Sequence, residues 1–442
     1  MLKIKQENPT ELKRSVGPFT LWGMGVGLVI SGMYFGWNLG LEKGGTIGFA
    51  IATFFIMIMY VTFTFSYTEL ACAIPKAGGA FDYAHKALGK HLGFICGVAQ
   101  IVEFVFAPPA IAAAIGAYFN IYFPSIPIIV IAIAAYALFT GLNILGVKAA
   151  TSFELIITIL AVIELLIFAG VTLPHFETAQ FMKNPYPNGA SGIFASIPFA
   201  IWFFLAIEGV ANLAEETVDP QKNVLKGFGW AIFTLALLCV LTFTSAVGVN
   251  GWENIVYTPS GETSDSPLPL ALGSVVGSSN FLYHLLISIG LLGLVASFHG
   301  IILAAGRATF EFGRIGYAPR WLGKIHPRFQ TPWYALLLNM GIGIIALFTG
   351  KTGEIITIAC FGALALYIIS MISLFVLRRN FPDMERPFRV PFYPLFPLVA
   401  LIIAIIALIA MVIYNPLLAI LFFVIIGFTY TLFYFLLPKN SR

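Results

Sequence analysis

Four ionisable side chains stand inside long apolar stretches of the sequence: Glu103, Glu164, Glu208 and His299. If those stretches cross a membrane, such groups are costly, and they usually mark the path of a substrate, an ion or a proton. A carboxylate there can pair with a substrate ammonium group or exchange a proton, and histidine titrates near neutral pH. All four are therefore candidate proton-coupling residues. The alternative for each is a structural hydrogen bond between helices.

Glu208 is the candidate that lies beside an interruption of its apolar stretch. It is followed by Gly209 in GIFASIPFAIWFFLAIEGVANLAEE (192–216), which also carries Pro198. A helix that is broken inside a membrane leaves backbone carbonyls and amides free to bind a polar solute or an ion. We therefore predict a broken helix with a substrate site at this position.

A second interruption is predicted near the N-terminus. The stretch GPFTLWGMGVGLVISGMYFGWNLGL (17–41) is rich in glycine and carries Ser31-Gly32 at its middle. Its position in the first half of the chain corresponds to that of the stretch around Glu208 in the second half, which suggests an inverted repeat. The alternative is that the small residues only let neighbouring helices pack closely.

Further side chains could complete a cation site near the two interruptions. Glu103 follows Gln100 by three residues, so both lie on one face of a helix. Aromatic rings can hold an amine by cation–π contact or close a gate over it. We single out Trp202 for this role from the aromatic residues near the interruptions, which are Tyr34, Phe35, Trp37, Trp202, Phe203 and Phe204.

The elements that must position these residues are membrane-spanning helices. Hydrophobic residues make up 59% of the 442 residues and charged residues 10%, and the mean hydropathy is +0.92, unlike a soluble domain. One span needs about 20 apolar residues. We predict twelve spans, at 18–41, 46–73, 92–119, 127–145, 152–173, 193–213, 227–249, 282–308, 333–349, 354–377, 395–414 and 416–437.

The distribution of Lys and Arg predicts the orientation of these spans. With the polar tail 1–17 in the cytoplasm, all 24 Lys and Arg face the cytoplasm except Lys43, Lys183 and Lys351. A missed or extra span would scramble this segregation, so it also supports the count of twelve. The net charge of +4 is therefore a consequence of topology, and we expect the lipid bilayer as partner and no nucleic acid.

No motif predicts an enzyme. The sequence contains no HExxH, GxSxG or GxxxxGK[ST] pattern. The four cysteines lie in or beside predicted spans without a CxxC pair, which predicts neither a disulfide framework nor a zinc site. We expect no cofactor and no bound metal. Without an ATP site, transport must be driven by a gradient or by exchange.

Three polar segments resemble the amino acid–polyamine–organocation superfamily. They are IPKAGGAFDYAHKALG (74–89), GVANLAEETVDPQKNV (209–224) and AAGRATFEFGRIGYAPRWLGKIHPRFQTPWYAL (304–336), and each follows a predicted span. Together with the twelve spans, the resemblance covers nearly the whole chain.

The resemblance implies an all-α integral membrane fold like that of the leucine transporter. Two inverted repeats of five helices would occupy 18–173 and 193–377, with two additional transmembrane helices at 395–437. It implies secondary transport of an amine-bearing solute by alternating access, with a midplane site between helices one and six. Together with the short termini, it implies the plasma membrane of a prokaryote, with both termini cytoplasmic.

The resemblance also assigns candidate substrate-binding residues. The superfamily's helix-one loop maps to Ile30, Ser31 and Gly32, and its helix-six loop maps to Phe204, Leu205, Ala206 and Ile207. Trp202 falls near the gating aromatic of helix six. Glu208 matches a glutamate that is common after the loop, so it does not by itself identify the substrate.

Two departures from the superfamily's pattern bear on substrate and coupling ion. Ile30 stands where typical amino acid permeases have the first glycine of a Gly-Ser-Gly loop, whose amides hold the substrate carboxylate. A side chain at that position should crowd a carboxylate. Ala161 stands where some relatives place a lysine in the space of a sodium ion, and Ser297 alone is weak support for a sodium site. We therefore favour a proton over sodium.

The stretch SGMYFGWNLGL (31–41), with the substituted loop, looks most like the ethanolamine permeases of the superfamily. Ethanolamine carries a hydroxyl group where an amino acid has its carboxylate. One alternative is an amino acid permease or exchanger of the same fold. A channel or a transporter-like nutrient sensor is the alternative from a different class, although the spans are too apolar to line a pore easily and no long tail follows the last span.

Overall fold

A computed structural model describes residues 16–76, 78–146, 150–258 and 260–436. The predicted tail 1–17 lies outside the described residues except for its last two. The described residues form α-helices, two 3₁₀-helices (Leu173–His175 and Ile207–Glu216) and isolated bridges. The α-helices are α1 Pro18–Val29, α2 Ser31–Tyr34, α3 Asn38–Ala73, α4 Ala80–Leu88, α5 Lys90–Asn120, α6 Ile128–Leu145, α7 Ala150–Thr172, α8 Thr178–Phe181, α9 Gly189–Ala195, α10 Ile197–Trp202, α11 Pro220–Asn250, α12 Glu253–Val256, α13 Pro267–Val276, α14 Phe281–Arg314, α15 Trp333–Leu347, α16 Thr352–Asn380, α17 Leu395–Tyr414 and α18 Pro416–Leu436.

The helices agree with the twelve predicted spans in position. In the described part of the chain, nine helices are long and apolar enough to cross a membrane. A tenth crossing consists of Gly189–Ala195 and Ile197–Ala211, which are bent by 41°. The shorter apolar helices α1 and α15 occupy the positions of predicted spans one and nine. The all-helical membrane fold is therefore confirmed, whereas the division into two inverted repeats stays a prediction.

Gly45 separates the first two spans inside α3. Its φ is +63°, a conformation that residues with a side chain rarely adopt. A Cβ on Gly45 would lie 2.7 Å from the carbonyl oxygen of Pro185, so the loop before α9 packs directly on this glycine. The next residues are fixed to the same loop, because the Ile47 amide donates to the Pro185 carbonyl at 2.9 Å. The predicted boundary between 41 and 46 therefore has a steric cause.

The most buried long helix lies at the centre of the bundle. The apolar window of α5 is 83% buried and that of α18 only 17%, so α5 is an interior helix and α18 presents its surface to lipid. α5 packs against α6, α14 and α16, while α1 packs against α7, α11 and α14. This arrangement places Glu103 of α5 in the interior, facing the interrupted helices.

One face of the molecule carries the three lysines predicted to be extracellular. The Asn188 side chain donates to the Lys43 carbonyl at 2.7 Å, and the Lys183 ammonium pairs with Glu253 at 3.1 Å. Lys351 immediately precedes Thr352, whose hydroxyl donates to Asp265 in the loop between α11 and α14, the loop that also contains Glu253. The lysines therefore cluster as a single membrane face requires. Which face is extracellular remains a prediction.

Candidate functional site

The first interruption has two parts. α1 ends at Val29, and the Met33 amide donates to the Ile30 carbonyl at 2.9 Å in a tighter, three-residue turn. The backbone becomes extended at Phe35 (φ −161°, ψ 173°), and Gly36 follows at φ +85°. The fully opened backbone therefore lies at Phe35-Gly36, four residues after the predicted Ser31-Gly32. At Ile30 the helix only tightens from α-helical turns to a three-residue turn.

Gly32 brings the first interruption against the second. A Cβ on Gly32 would collide with the carbonyl oxygen of Trp202 and lie 3.1 Å from the Cα of Phe203. Any other residue at this position would push the two backbones apart. The predicted substrate-binding glycine is thus the point of contact between the interruptions, a role that requires the absence of a side chain.

The second interruption follows Trp202, where α10 ends. Residues 203–206 form turns, and a 3₁₀-helix then runs over Ile207–Glu216. Ala206 has φ +73°, a strained conformation for a residue with a Cβ. Its amide donates to Oε1 of Glu103 at 3.2 Å. The Glu103 carboxylate on α5 therefore binds the amide of the strained residue Ala206. The predicted loop Phe204–Ile207 is where the α-helix is interrupted.

Two carboxyl groups face each other at this interruption. The side chains of Glu103 and Glu208 are fully buried and lie within hydrogen-bonding reach of one another. Oε2 of Glu103 and Oε1 of Glu208 have no hydrogen-bond partner among the described residues. In the described part of the chain, no Lys or Arg pairs with either carboxyl group. Such a pair is best satisfied by a shared proton, by a cation, or by both.

Two tyrosines connect the carboxyl pair to the end of α10. The Tyr367 hydroxyl of α16 donates to Oε2 of Glu208 at 2.9 Å. It also lies 3.1 Å from the hydroxyl of Tyr60 on α3, which donates to the Ile201 carbonyl at 3.4 Å. The chain of hydrogen bonds therefore joins α3, α16 and the interrupted helix, and any change in the protonation of Glu208 alters the bonding of Tyr367.

Trp202 closes the first interruption. Its indole N–H donates to the Phe35 carbonyl at 3.0 Å, and the two rings meet edge to face with centroids 5.4 Å apart. Gly36 makes room for the indole, since a Cβ there would lie 2.6 Å from Nε1. The predicted gating aromatic is therefore in contact with the opened backbone of the first helix.

Ser31 and Ser297 form a second polar contact near the first interruption. Oγ of Ser297, on α14, lies 2.6 Å from the Leu28 carbonyl oxygen and 2.8 Å from Oγ of Ser31. Both hydroxyls are buried. They can satisfy each other and the carbonyl without an ion, so this contact does not by itself indicate sodium.

The structure places the remaining candidates apart from the carboxyl pair. Glu164 accepts a hydrogen bond from the Tyr34 hydroxyl at 2.7 Å. The ring of His299 packs edge to face against Phe139 of α6, with centroids 6.2 Å apart. Ala161 lies beside Gly293, where an added Cβ would approach it to 3.0 Å. A proton-coupling role for His299 stays a prediction that its apolar surroundings do not favour.

Tyr60, Tyr367 and Asn38 belong to the site, although the sequence analysis did not identify them. Asn38 accepts from the Gly36 amide at 3.0 Å and donates to the Ser264 carbonyl at 2.8 Å. It thereby fastens the first interruption to the loop between α11 and α14. An asparagine directly after an interrupted span is a polar signal that could have been used. The 17 tyrosines offer no such signal.

Comparisons with known proteins identify the family. The model of the amino acid permease family matches residues 16–438, so the chain belongs to that family. An uncharacterized transporter of Rhizobium meliloti (strain 1021) is 28% identical over 87% of this chain and 83% of its own length. The branched-chain amino acid permease of Bacillus subtilis (strain 168) is 25% identical over 87% and 85%. The low-affinity putrescine importer of Escherichia coli (strain K12) is 26% identical over 78% and 77%. The protein is an integral membrane secondary transporter of small organic nutrients.

Proposed function

We propose that the protein imports a small organic amine, and specifically ethanolamine, by proton-coupled alternating access. The observation that carries this proposal is the buried pair Glu103 and Glu208, each of which has one carboxyl oxygen without a hydrogen-bond partner among the described residues. An ammonium group supplies three N–H donors and one positive charge. With one shared proton, the pair has a net charge of −1, which a single ammonium group neutralises.

The surroundings of the pair favour an amine over a carboxylate. In the described part of the chain, its hydrogen-bond partners are the Tyr367 hydroxyl, itself bonded to Tyr60, and the Ala206 amide, without Lys or Arg. A substrate carboxylate would add a second negative charge to a desolvated site. The amide of Ile30 donates to the Val26 carbonyl at 2.8 Å, so it is not offered to a carboxylate. The hydroxyl group of ethanolamine would meet the buried Ser31 hydroxyl.

Alternating access requires the site to close on both sides, and the structure describes a closed state. Ile30, Glu103, Phe204 and Glu208 are 0% exposed and Trp202 is 2% exposed. Substrate can therefore enter only after helices move. We propose that Trp202 and Phe35 separate on one side and that the Tyr60–Tyr367 contact yields on the other. In this movement the two five-helix repeats, 18–173 and 193–377, would change their orientation relative to one another. Both termini would lie in the cytoplasm of a prokaryote.

A second candidate is an amino acid permease or exchanger of the same fold. The relatives named for branched-chain amino acids, and for serine and threonine, support it. The relative named for putrescine supports an amine that lacks a carboxylate. The two candidates make opposite predictions about competition by alanine, a small amino acid that carries the carboxylate that ethanolamine lacks.

The test is uptake of radiolabelled ethanolamine into proteoliposomes under an imposed pH or sodium gradient, with choline, alanine and arginine as competitors. We expect saturable uptake that the pH gradient accelerates and that alanine and arginine do not inhibit. Internal pH, recorded during uptake, should fall if proton and amine move together. Better competition by alanine than by unlabelled ethanolamine would establish the second candidate.

Variants of the pair connect the transport activity to the site. Glu208→Gln and Glu103→Gln should each reduce pH-driven uptake by more than about ten-fold, because loss of either carboxyl removes the shared-proton site. Glu177→Gln is the matched control, since Glu177 is exposed and lies outside the bundle interior. Acceleration of uptake by a sodium gradient, with no response to pH, would contradict the proton-coupled mechanism.

A further inference from the structure

Glu164 belongs to a different site from Glu103 and Glu208. It lies on α7, its side chain is 3% exposed, and the group that acts on its carboxyl in the described part of the chain is the Tyr34 hydroxyl. A buried carboxylate that has one neutral hydrogen-bond donor and no neighbouring cation is poorly compensated. The mechanism proposed above does not use this group.

Glu164 lines a cavity of about 10 Å³, which has room for one water molecule, so a larger solute can occupy it only after its walls move apart. The cavity is lined by Glu164, Tyr34, Tyr118 and Phe168, and its remaining walls are apolar side chains of α13 and α14. Tyr118 of α5 donates to the Tyr34 carbonyl at 3.1 Å, and the two tyrosine rings stand nearly perpendicular, at 85°, with centroids 6.4 Å apart. A carboxylate surrounded by aromatic rings in an apolar wall is the environment that favours an organic ammonium ion.

The position of the cavity connects it to the deeper site. Tyr34 follows Ser31 by three residues in α2, which corresponds to a rise of about 4.5 Å along the helix. The next two residues, Phe35 and Gly36, form the opened backbone that Trp202 closes. On the other side of the cavity lies α13, through Leu268, Pro269 and Leu272. α13 belongs to the loop between α11 and α14, which we predict to be extracellular.

We infer that Glu164, Tyr34 and Tyr118 form an outer binding site for an organic ammonium ion, distinct from the site at Glu103 and Glu208. An amine would enter when α13 lifts, bind the Glu164 carboxylate against the two rings, and then pass the Trp202–Phe35 contact to the deeper site. Because Tyr34 is bonded to Glu164, occupation of the outer site acts directly on the helix that must open. This inference rests on the proposed amine substrate.

The test is equilibrium binding of radiolabelled ethanolamine to the purified full-length protein in lipid nanodiscs. The wild type should bind two molecules per chain. Glu164→Gln and Glu208→Gln should each bind one, and the double variant should bind none. Glu164→Asp keeps the charge and should retain the outer site with about ten-fold weaker affinity, because the shorter side chain moves the carboxylate away from the rings. Glu262→Gln, at an exposed position of the same loop as α13, is the control and should bind two.

The outcomes separate this inference from the proposed function. One molecule per wild-type chain, retained by Glu164→Gln and lost by Glu208→Gln, would overturn the outer site and leave the deeper site standing. Loss of all binding by Glu164→Gln, with an unchanged midpoint of thermal unfolding, would also overturn it, because Glu164 would then belong to a single site. Failure of the wild type to bind ethanolamine would overturn both proposals.

Discussion

The indole nitrogen of Trp202 donates a hydrogen bond to the backbone carbonyl of Phe35 at 3.0 Å. The bond joins the last α-helical residue before the second interruption to the one extended residue of the first. It satisfies a carbonyl that the first helix cannot satisfy by itself. This bond therefore holds the two interruptions together beside the backbone contact at Gly32, and breaking it should ease the opening of the path between them.

Trp202→Phe tests this closure. The substitution retains a ring against Phe35 but removes the N–H donor, at a cost of about 1 kcal/mol. The closed state should become less stable, and ethanolamine should dissociate about five-fold faster from preloaded purified protein. Trp230→Phe is the control, because Trp230 is 54% exposed on the lipid-facing side of α11. Equal dissociation rates for wild type and Trp202→Phe would show that the hydrogen bond does not hold the closed state.

The twelve spans were predictable because hydropathy and length determine which segments are stable when lipid instead of water surrounds them. Even the boundary between spans one and two is visible in residue type, since Glu42, Lys43, Gly44 and Gly45 interrupt the apolar run. The interruption in span six was also predictable, because Glu208-Gly209 is incompatible with an undisturbed apolar helix. These are local properties of the sequence.

The hydrogen-bond partners at the site were not predictable, because they join residues far apart in the chain. Glu103 reaches the amide of Ala206, and Tyr367 reaches Glu208, across contacts that depend on how α5, α10 and α16 pack. The exact place of the opened backbone in span one was also missed. Gly32 looked like the site of the break, but its missing side chain serves the close approach of Trp202 instead.

Replacement of Ile30 by glycine should broaden the substrate range. Ile30 is fully buried at the narrowed turn after α1. Removing its side chain creates space for a carboxylate and loosens the turn, at a cost of about 1 kcal/mol for glycine in a helix plus the lost packing. Alanine should then compete with labelled ethanolamine in the uptake assay.

Ile30→Val is the matched control for that experiment, because it keeps a branched side chain at the same place. Alanine should compete no better in Ile30→Val than in the wild type. If alanine competes equally weakly in Ile30→Gly, while thermal unfolding shows a folded protein, then the side chain of Ile30 does not exclude carboxylates.

Asp265 predicts a pH dependence of stability in the loop between α11 and α14. Burial raises the pKa of Asp265 to about 6, although its carboxyl accepts a hydrogen bond from the Thr352 hydroxyl at 2.8 Å. A raised pKa means that the folded protein binds the proton more tightly than the unfolded chain. The associated stability is therefore present below about pH 4 and is lost as the pH rises through about 6.

Asp265→Asn removes this titration. The difference in thermal midpoint between the variant and the wild type should be small at pH 4, where both side chains are neutral. It should grow in favour of the variant between pH 4 and 7. The control Glu262→Gln should show no such pH-dependent difference. A variant that becomes less stable than the wild type at pH 7 would show that the bond from Thr352 to the ionised carboxylate outweighs its burial.

At the face of the molecule opposite the loop between α11 and α14, we expect the ion pair between Glu69 and Arg378 to be the contact whose loss lowers the thermal stability most. Glu69 of α3 is 1% exposed. The guanidinium of Arg378, on α16, donates to both carboxylate oxygens of Glu69, and Nε of Arg378 lies 2.8 Å from Oε1 of Glu69. The Val390 amide donates to the same carboxylate at 2.7 Å. Arg386 also pairs with Glu69, with Nε 3.4 Å from Oε1, so removal of Arg378 leaves the buried carboxylate with one guanidinium and should cost about 1–3 kcal/mol. Arg378→Gln should therefore lower the thermal midpoint far more than Arg379→Gln, at the exposed neighbouring position.

The double variant Glu69→Gln/Arg378→Gln determines the origin of that loss. It removes both charges but leaves the buried guanidinium of Arg386 without a carboxylate, so it should be less stable than Arg378→Gln alone, in which Glu69 and Arg386 still neutralise each other. Because the pair ties α3 to the C-terminal end of α16, uptake by the double variant should persist if the pair is structural. Thermal unfolding and ethanolamine uptake should both be measured. A double variant no less stable than Arg378→Gln would show that the loss comes from the packing of Arg378 over the Tyr393 ring, 3.8 Å from its centroid, and not from the charges around Glu69.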